Sequence, residues 1–222
     1  MSRDLILATE QFIRDRLGDD ASGHDWHHVD RVRRNAMLIG AAEGADLFVT
    51  ELAALLHDVA DWKFHNGDDE AGPRIAGEWL ATHQTSPETI AAVQQVIREV
   101  SFKGAGVQTK PSTLEGQVVQ DADRLDAIGA IGVARTFAYG GHKGHPMYDP
   151  TSPPTPHDSF EAYKKNNGST INHFYEKLLL LKDRLNTATA RHIAASRHRF
   201  MEEFLAQFYR EWHGDDYRPV CG

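Results

Sequence analysis

Two histidines and two aspartates are spaced so that a folded chain could set them around one cation: His28, the adjacent pair His57-Asp58, and Asp123. Nitrogen and oxygen donors with no thiolate suit Mn2+, Fe2+, Co2+ or Mg2+ better than a structural zinc site. Two neutral imidazoles and two carboxylates balance a divalent charge, and four protein ligands leave positions open on an octahedral ion. An open position admits water. Binding to a metal lowers the pKa of that water from about 16 to ~7–9, so hydroxide is available near neutral pH. Each residue also has a plainer role open to it. His28 could be hydrogen-bonded in a core, and His57 could be the ion-pair partner of Asp58. Asp58 could be satisfied by backbone amides, and Asp123 could pair with Arg124 or face water.

The elements that must position these residues are helical. Leu52, Leu55, Leu56 and Val59 fall at i, i+3, i+4 and i+7, one face of an amphipathic helix that ends in His57-Asp58. Upstream, a first helix covers about Asp4 to Leu17. The segment Ser22 to His28 then leads into a second helix, whose apolar stripe is Val29, Val32, Ala36 and Ile39 and which Gly44 breaks. A fourth helix spans about Glu70 to Thr82, with Pro73 in its first turn, and Ser86-Pro87-Glu88 starts a fifth. Thr113 to about Ala138 reads as a helix or a bent pair, with Gly129 and Gly132 allowing close packing. Tyr139 to Asp158, with its glycines, histidines and prolines, shows no periodicity and reads as a long functional loop. Ser169 to Lys182 and Asn186 to Trp212 close the chain, with Asn186 as a cap and Gly214 as a terminator. The expectation is one all-α domain over residues 1–222, a bundle of roughly seven to nine helices, with the C-terminal helices (about 169–212) packed on its core.

Composition bounds the function. A chain of 222 residues that is 41% hydrophobic and 25% charged is an ordinary globular one. A formal charge of -8 argues against a nucleic acid polymer as partner, yet a metal and a few local cations can still draw a small anion into a cleft. The single cysteine, Cys221, rules out an internal disulfide, and no apolar run approaches a membrane span. The expected setting is cytoplasmic, with no membrane partner; homodimerisation is left open.

The ordered set His28, His57-Asp58 and Asp123 resembles the signature of the HD-domain metal-dependent phosphohydrolases. His28-Val-Asp-Arg-Val32 is similar to that family's first-histidine helix, and His57-Asp58 to the pair that gives it its name. The likeness extends through His24 to His28, Leu56 to Lys63, Gln120 to Gly129, Arg135 to Gly141 and His173 to Leu179. Together these resemble the YpgQ/YedJ-like bacterial subgroup across most of the chain. No His-His-Glu…Gly-Tyr-Pro pattern of the cyclic-dinucleotide phosphodiesterase branch is present. The resemblance implies an all-α HD-domain fold and one divalent metal held by His28, His57, Asp58 and Asp123. Mn2+ is the expected ion, with Mg2+, Co2+, Fe2+ or Ni2+ as alternatives. It further implies a small-molecule nucleotide substrate, a (deoxy)nucleoside triphosphate hydrolysed to monophosphate and pyrophosphate by hydroxide formed at the metal.

Around the centre, Asp61 lies at i+4 from His57 and suits a general base or a group orienting water, as readily as it suits a helix-end acid. Asp126, three residues after Asp123, could hold a ligand or contact substrate, or be an exposed acid paired with Arg124. Lys63 and Arg124 are the leading phosphate contacts, since both flank the metal motifs, and Lys143 is a further one. Trp26, Trp62 and Phe64 could stack on a base or pack in the core. His65 and His83 could serve a second metal or be solvated. Two rivals stay open: a 5'-nucleotidase acting on monophosphates with the same ligands, and a nucleotide sensor without turnover.

Overall fold

Leu52, Ala53, Ala54, Leu55 and Leu56 are all 0% exposed, so the helix that carries them is enclosed on every side rather than along one stripe. This buried rod organises the molecule. The computed structural model describes residues 2–17, 25–60, 68, 70–100, 111–155 and 168–215. Among these the chain forms α1 (Ser2–Leu17), α2 (Trp26–Glu43), α3 (Leu47–Leu56), α4 (Ala71–Thr82), α5 (Pro87–Val100), α6 (Leu114–Asp126), α7 (Gly129–Lys143), α8 (Thr170–Glu176), a 3-10 helix (Leu178–Arg184) and α9 (Ala188–His213). There is no strand among the described residues, and the fold is all-α.

The buried rod is α3, which packs against α1, α2, α5 and α6. The stripe Val29, Val32, Ala36 and Ile39 turns α2 toward it, all four 0% exposed, and α2 lies along α6. On the outside, α4 rests on α5, while α9 covers α7, α6 and α2. Side-chain caps set the helix starts. Asp25 accepts from the His28 backbone N–H at 2.8 Å, Asp46 from those of Phe48 and Val49, and Thr113 from that of Gly116.

Of the two readings of Thr113 to Ala138, the structure shows the bent pair, two helices broken at Ala127 and Ile128. It departs from the sequence reading at three places. The aperiodic stretch does not begin at Tyr139, because α7 runs on to Lys143. Gly140 lets α7 approach Thr170: a Cβ at that position would lie 2.3 Å from Thr170 Oγ1, so packing overrides the low helix propensity of Gly140 and Gly141. Ser169 to Lys182 is not one helix. After α8 the chain tightens to a 3-10 helix whose three-residue repeat keeps Leu178 and Leu181 on one buried face. The cap of α9 is Thr187, not Asn186. Asn186 and Thr187 both turn to Asp121, a fully buried carboxylate on α6. It accepts from the Asn186 N–H, Asn186 Nδ2, the Thr187 N–H and Thr187 Oγ1, each at 2.8 Å.

Candidate metal centre

Three helix ends converge on one spot. His28 is the third residue of α2, and the cap on Asp25 fixes that first turn. His57 closes α3 as its C-cap and Asp58 follows in the turn; Asp123 and Asp126 occupy the last turn of α6. The negative ends of the α3 and α6 dipoles therefore face the spot, which favours a cation there.

The two imidazole rings meet edge to face with centroids 5.4 Å apart. His28 Nε2 lies 3.4 Å from Asp58 Oδ2 and 3.5 Å from Asp123 Oδ1, and His57 Nε2 lies 3.5 Å from Asp58 Oδ2. One donor atom each from His28, His57 and Asp58 all fall within 4.8 Å of one another. Two oxygen or nitrogen ligands on one small divalent ion, each at ~2.1 Å, stand ~3–4 Å apart. The histidine-to-carboxylate distances of 3.4 and 3.5 Å fall in that range. The histidine side chains are 1% and 3% exposed and form the floor, while Asp58 at 25% and Asp123 at 40% form the rim.

The donor chemistry fits too. His57 Nδ1 is 2.8 Å from the Ala54 carbonyl, an acceptor only, so this nitrogen carries the hydrogen and Nε2 is left with its lone pair. That Nε2 is buried and makes no hydrogen bond. His28 Nδ1 faces Asp126 Oδ2 at 2.8 Å in the same sense. A histidine that donates its other N–H to a carboxylate or a carbonyl is the usual outer arrangement of a metal ligand. Burial by itself would push His28 down, but the carboxylates of Asp126, Asp58 and Asp123 raise it to about 9. The site attracts positive charge.

Sequence reasoning brought His28, His57, Asp58 and Asp123 to one place, and the structure sets them there. Of the roles left open for Asp126, the structure shows the holding of a ligand, not a pairing with Arg124. Asp126 is 1% exposed and sits behind His28, bound by Arg31 Nε at 2.6 Å, Arg31 Nη2 at 3.0 Å and Arg135 Nη1 at 2.6 Å. Burial would raise its carboxyl; the hydrogen bonds from His28 and Arg31, with the charge of Arg135, hold it well below the usual carboxylate range. Arg124 donates to the Arg184 carbonyl, and its burial lowers the guanidinium below its ordinary value. Lys143 ends α7 with its ammonium 5.7 Å from the centroid of the Tyr139 ring. Trp26 is a core residue under the Arg14 guanidinium, 4.0 Å from the ring centroid, and His83 bonds to Trp79 and Thr82 at the end of α4. Asp61, Trp62, Lys63, Phe64 and His65 lie outside the described residues. The sequence reading missed Arg31 and Arg135, although both stand inside stretches that carried the resemblance.

Comparison with known proteins places the family and the fold. The HD domain model matches residues 25–128, which begin at the cap of α2 and end just past α6. Bacillus subtilis YpgQ is 41% identical over 206 residues, covering 92% of each chain. A crystal structure of an HD-superfamily hydrolase from Bacillus thuringiensis superposes with a TM-score of 0.77 at 44% identity, covering 96% of this chain and 99% of that one. The crystal structure of Bacillus subtilis YpgQ in complex with ADP superposes with a TM-score of 0.73, covering 93% of this chain and 97% of that one.

Proposed function

We propose, since the chain belongs to the HD superfamily of hydrolases, that it is a metal-dependent phosphohydrolase which cleaves (deoxy)nucleoside triphosphates to the monophosphate and pyrophosphate. The observation that carries the metal dependence is the buried, unbonded Nε2 of His57 beside the Asp58 carboxylate. A buried polar atom without a partner costs ~1–3 kcal/mol, and a bound cation removes that cost. The choice of a nucleotide draws on the complex of Bacillus subtilis YpgQ with ADP.

His28, His57, Asp58 and Asp123 are assigned to one divalent ion, with Mn2+ the expected one. When bound, such an ion polarises a phosphoryl oxygen and lowers the pKa of a water. The floor of two buried imidazoles keeps bulk water off one side, and the exposed rim of Asp58 and Asp123 leaves the other side open to a phosphate. Asp61 is assigned to orient the attacking water and take its proton, and Lys63 to neutralise the leaving pyrophosphate. Arg124 can join Lys63 only by releasing the Arg184 carbonyl, and Lys143 only from the end of α7.

The test is a hydrolysis screen with added Mn2+ over nucleoside mono-, di- and triphosphates, with pyrophosphate and orthophosphate assayed separately. His57→Ala is run as the control. Pyrophosphate from triphosphates, lost in the variant, is the expected result. Orthophosphate from monophosphates would replace this reading with a 5'-nucleotidase, and bound nucleotide without turnover would replace it with a sensor.

A further inference from the structure

We propose that Asp126 is a positioning residue of the metal centre, and that the corner between α6 and α7 is built to hold its carboxylate against His28. The inference rests on the metal-dependent reading above and adds to it what decides the state of one ligand.

A carboxylate whose side chain is 2% exposed cannot be solvated, and Asp126 takes its hydrogen bonds from three side chains on two other helices. His28 and Arg31 reach it from α2, and Arg135 from α7. An ionised carboxylate only accepts, and at 2.8 Å Asp126 Oδ2 is nearer to His28 Nδ1 than the donor-only Arg135 Nη1 at 3.3 Å, so that nitrogen carries a hydrogen. The other nitrogen, Nε2, then presents a lone pair toward Asp58 and Asp123, 3.4 and 3.5 Å away. Asp126 thus selects the tautomer that can bind a metal. His57 reaches the same state through the Ala54 carbonyl, but a carboxylate partner makes its histidine the more basic ligand.

The clamp explains why the corner is shaped as it is. Arg31 grips both carboxylate oxygens, and Arg135 closes on Oδ2 from the other side. For Arg135 to arrive there, α7 must restart at once where α6 ends. Gly129 makes the turn at φ 76°, in the left-handed region that favours glycine. Gly132 permits the contact that follows: a Cβ there would lie 2.3 Å from the Ala127 carbonyl oxygen. Arg197 on α9 ties the corner down by donating to the Leu125 carbonyl at 2.6 Å.

Charge adds a second role. Two guanidiniums stand behind His28 with one carboxylate between them, and that carboxylate offsets their repulsion of a cation at Nε2. Asp126→Asn would keep an acceptor for His28 Nδ1 and nearly the same shape, yet leave Arg31 and Arg135 uncompensated. Losses of about 10–100-fold in metal affinity are typical when an outer partner of this kind is removed.

The experiment is a Co2+ titration of the metal-free full chain, read by visible absorption, on wild type, Asp126→Asn and Asp126→Glu. The expected result is about 10–100-fold weaker binding and shifted d–d bands for Asp126→Asn, with Asp126→Glu recovering part of both. A merely structural role would leave the bands of the loaded site in place. Wild-type affinity and spectrum in Asp126→Asn would overturn the proposal while leaving the proposed function intact. If the Asn variant does not fold, long-range 1H–15N correlation on the Zn2+-loaded wild type reads the tautomer directly. A hydrogen on His28 Nδ1 supports the proposal and one on Nε2 overturns it. Weakened Co2+ binding in a chain that hydrolyses no nucleotide would support it and remove the proposed substrate. A wild type that binds no Co2+ would overturn both.

Discussion

His173 shows how burial acts on a single titratable residue away from the metal centre. It is partly buried on α8, and burial first, then the positive charges of Lys177 and His145, lower it from 6.5 to about 3. The unfolded chain therefore binds more protons than the folded one between those two values. Its contribution to stability is fully present above pH 6.5 and is lost as the pH falls toward 3. By pH 4.5 the loss is roughly 1–2 kcal/mol after allowance for partial exposure. Thermal midpoints of wild type and His173→Gln from pH 7 to 4.5 should converge on acidification, with wild type falling further; parallel curves would contradict this. At this scale the sequence was legible where type and spacing meet a known pattern, as for His28, His57, Asp58 and Asp123. For Asp126 the sequence left holding a ligand, contacting substrate and pairing with Arg124 all open, and only the fold selects the first, because its partner His28 is 98 positions away. Arg124 misled for the same reason: its partner is a backbone carbonyl 60 positions on, which side-chain identity does not reveal.

Among the elements, α3 bears the most on stability. Leu52, Leu55 and Leu56 are each 0% exposed among α1, α2, α5 and α6, and His57 and Asp58 follow directly after them. Leu55→Ala should destabilise the chain by ~2–5 kcal/mol in urea unfolding, with metal affinity falling as the end of α3 loosens. A loss below ~1 kcal/mol would mean that neighbours collapse into the space and the rod is less rigid than its burial implies. The body of α2 was readable in advance from its apolar stripe, and the start of α5 from Ser86 and Pro87. The 3-10 helix and the start of α9 were not. Leu178 and Leu181 suit either an α-helical or a 3-10 repeat, and the choice falls to packing. The cap at Thr187 depends on Asp121, a buried acid 66 positions earlier that also engages Asn186.

For the molecule as a whole, the architecture is a buried rod with helix ends gathered at one pole. Residues 25–128, the stretch that matches the HD domain, hold His28, His57, Asp58, Asp123 and Asp126, while α7 and α9 pack on it from the C-terminal side. A chain of net charge -8 concentrates two carboxylates at that pole over two buried imidazoles, which makes it a place for a cation and, through the cation, for a phosphate. No helix among the described residues is long and apolar enough to cross a membrane. A ligand held at 100 times its Kd adds ~2.7 kcal/mol to the folded state, so saturating Mn2+ should raise the thermal midpoint and chelation should reverse it. The most direct test of the centre is a calorimetric titration of Mn2+ into the metal-free chain and into Asp58→Ala. The structure predicts one ion per wild-type chain, and for the variant a loss of more than about 100-fold, beyond that expected for an outer residue. Equal binding by the two would contradict the assignment of His28, His57, Asp58 and Asp123 to a metal.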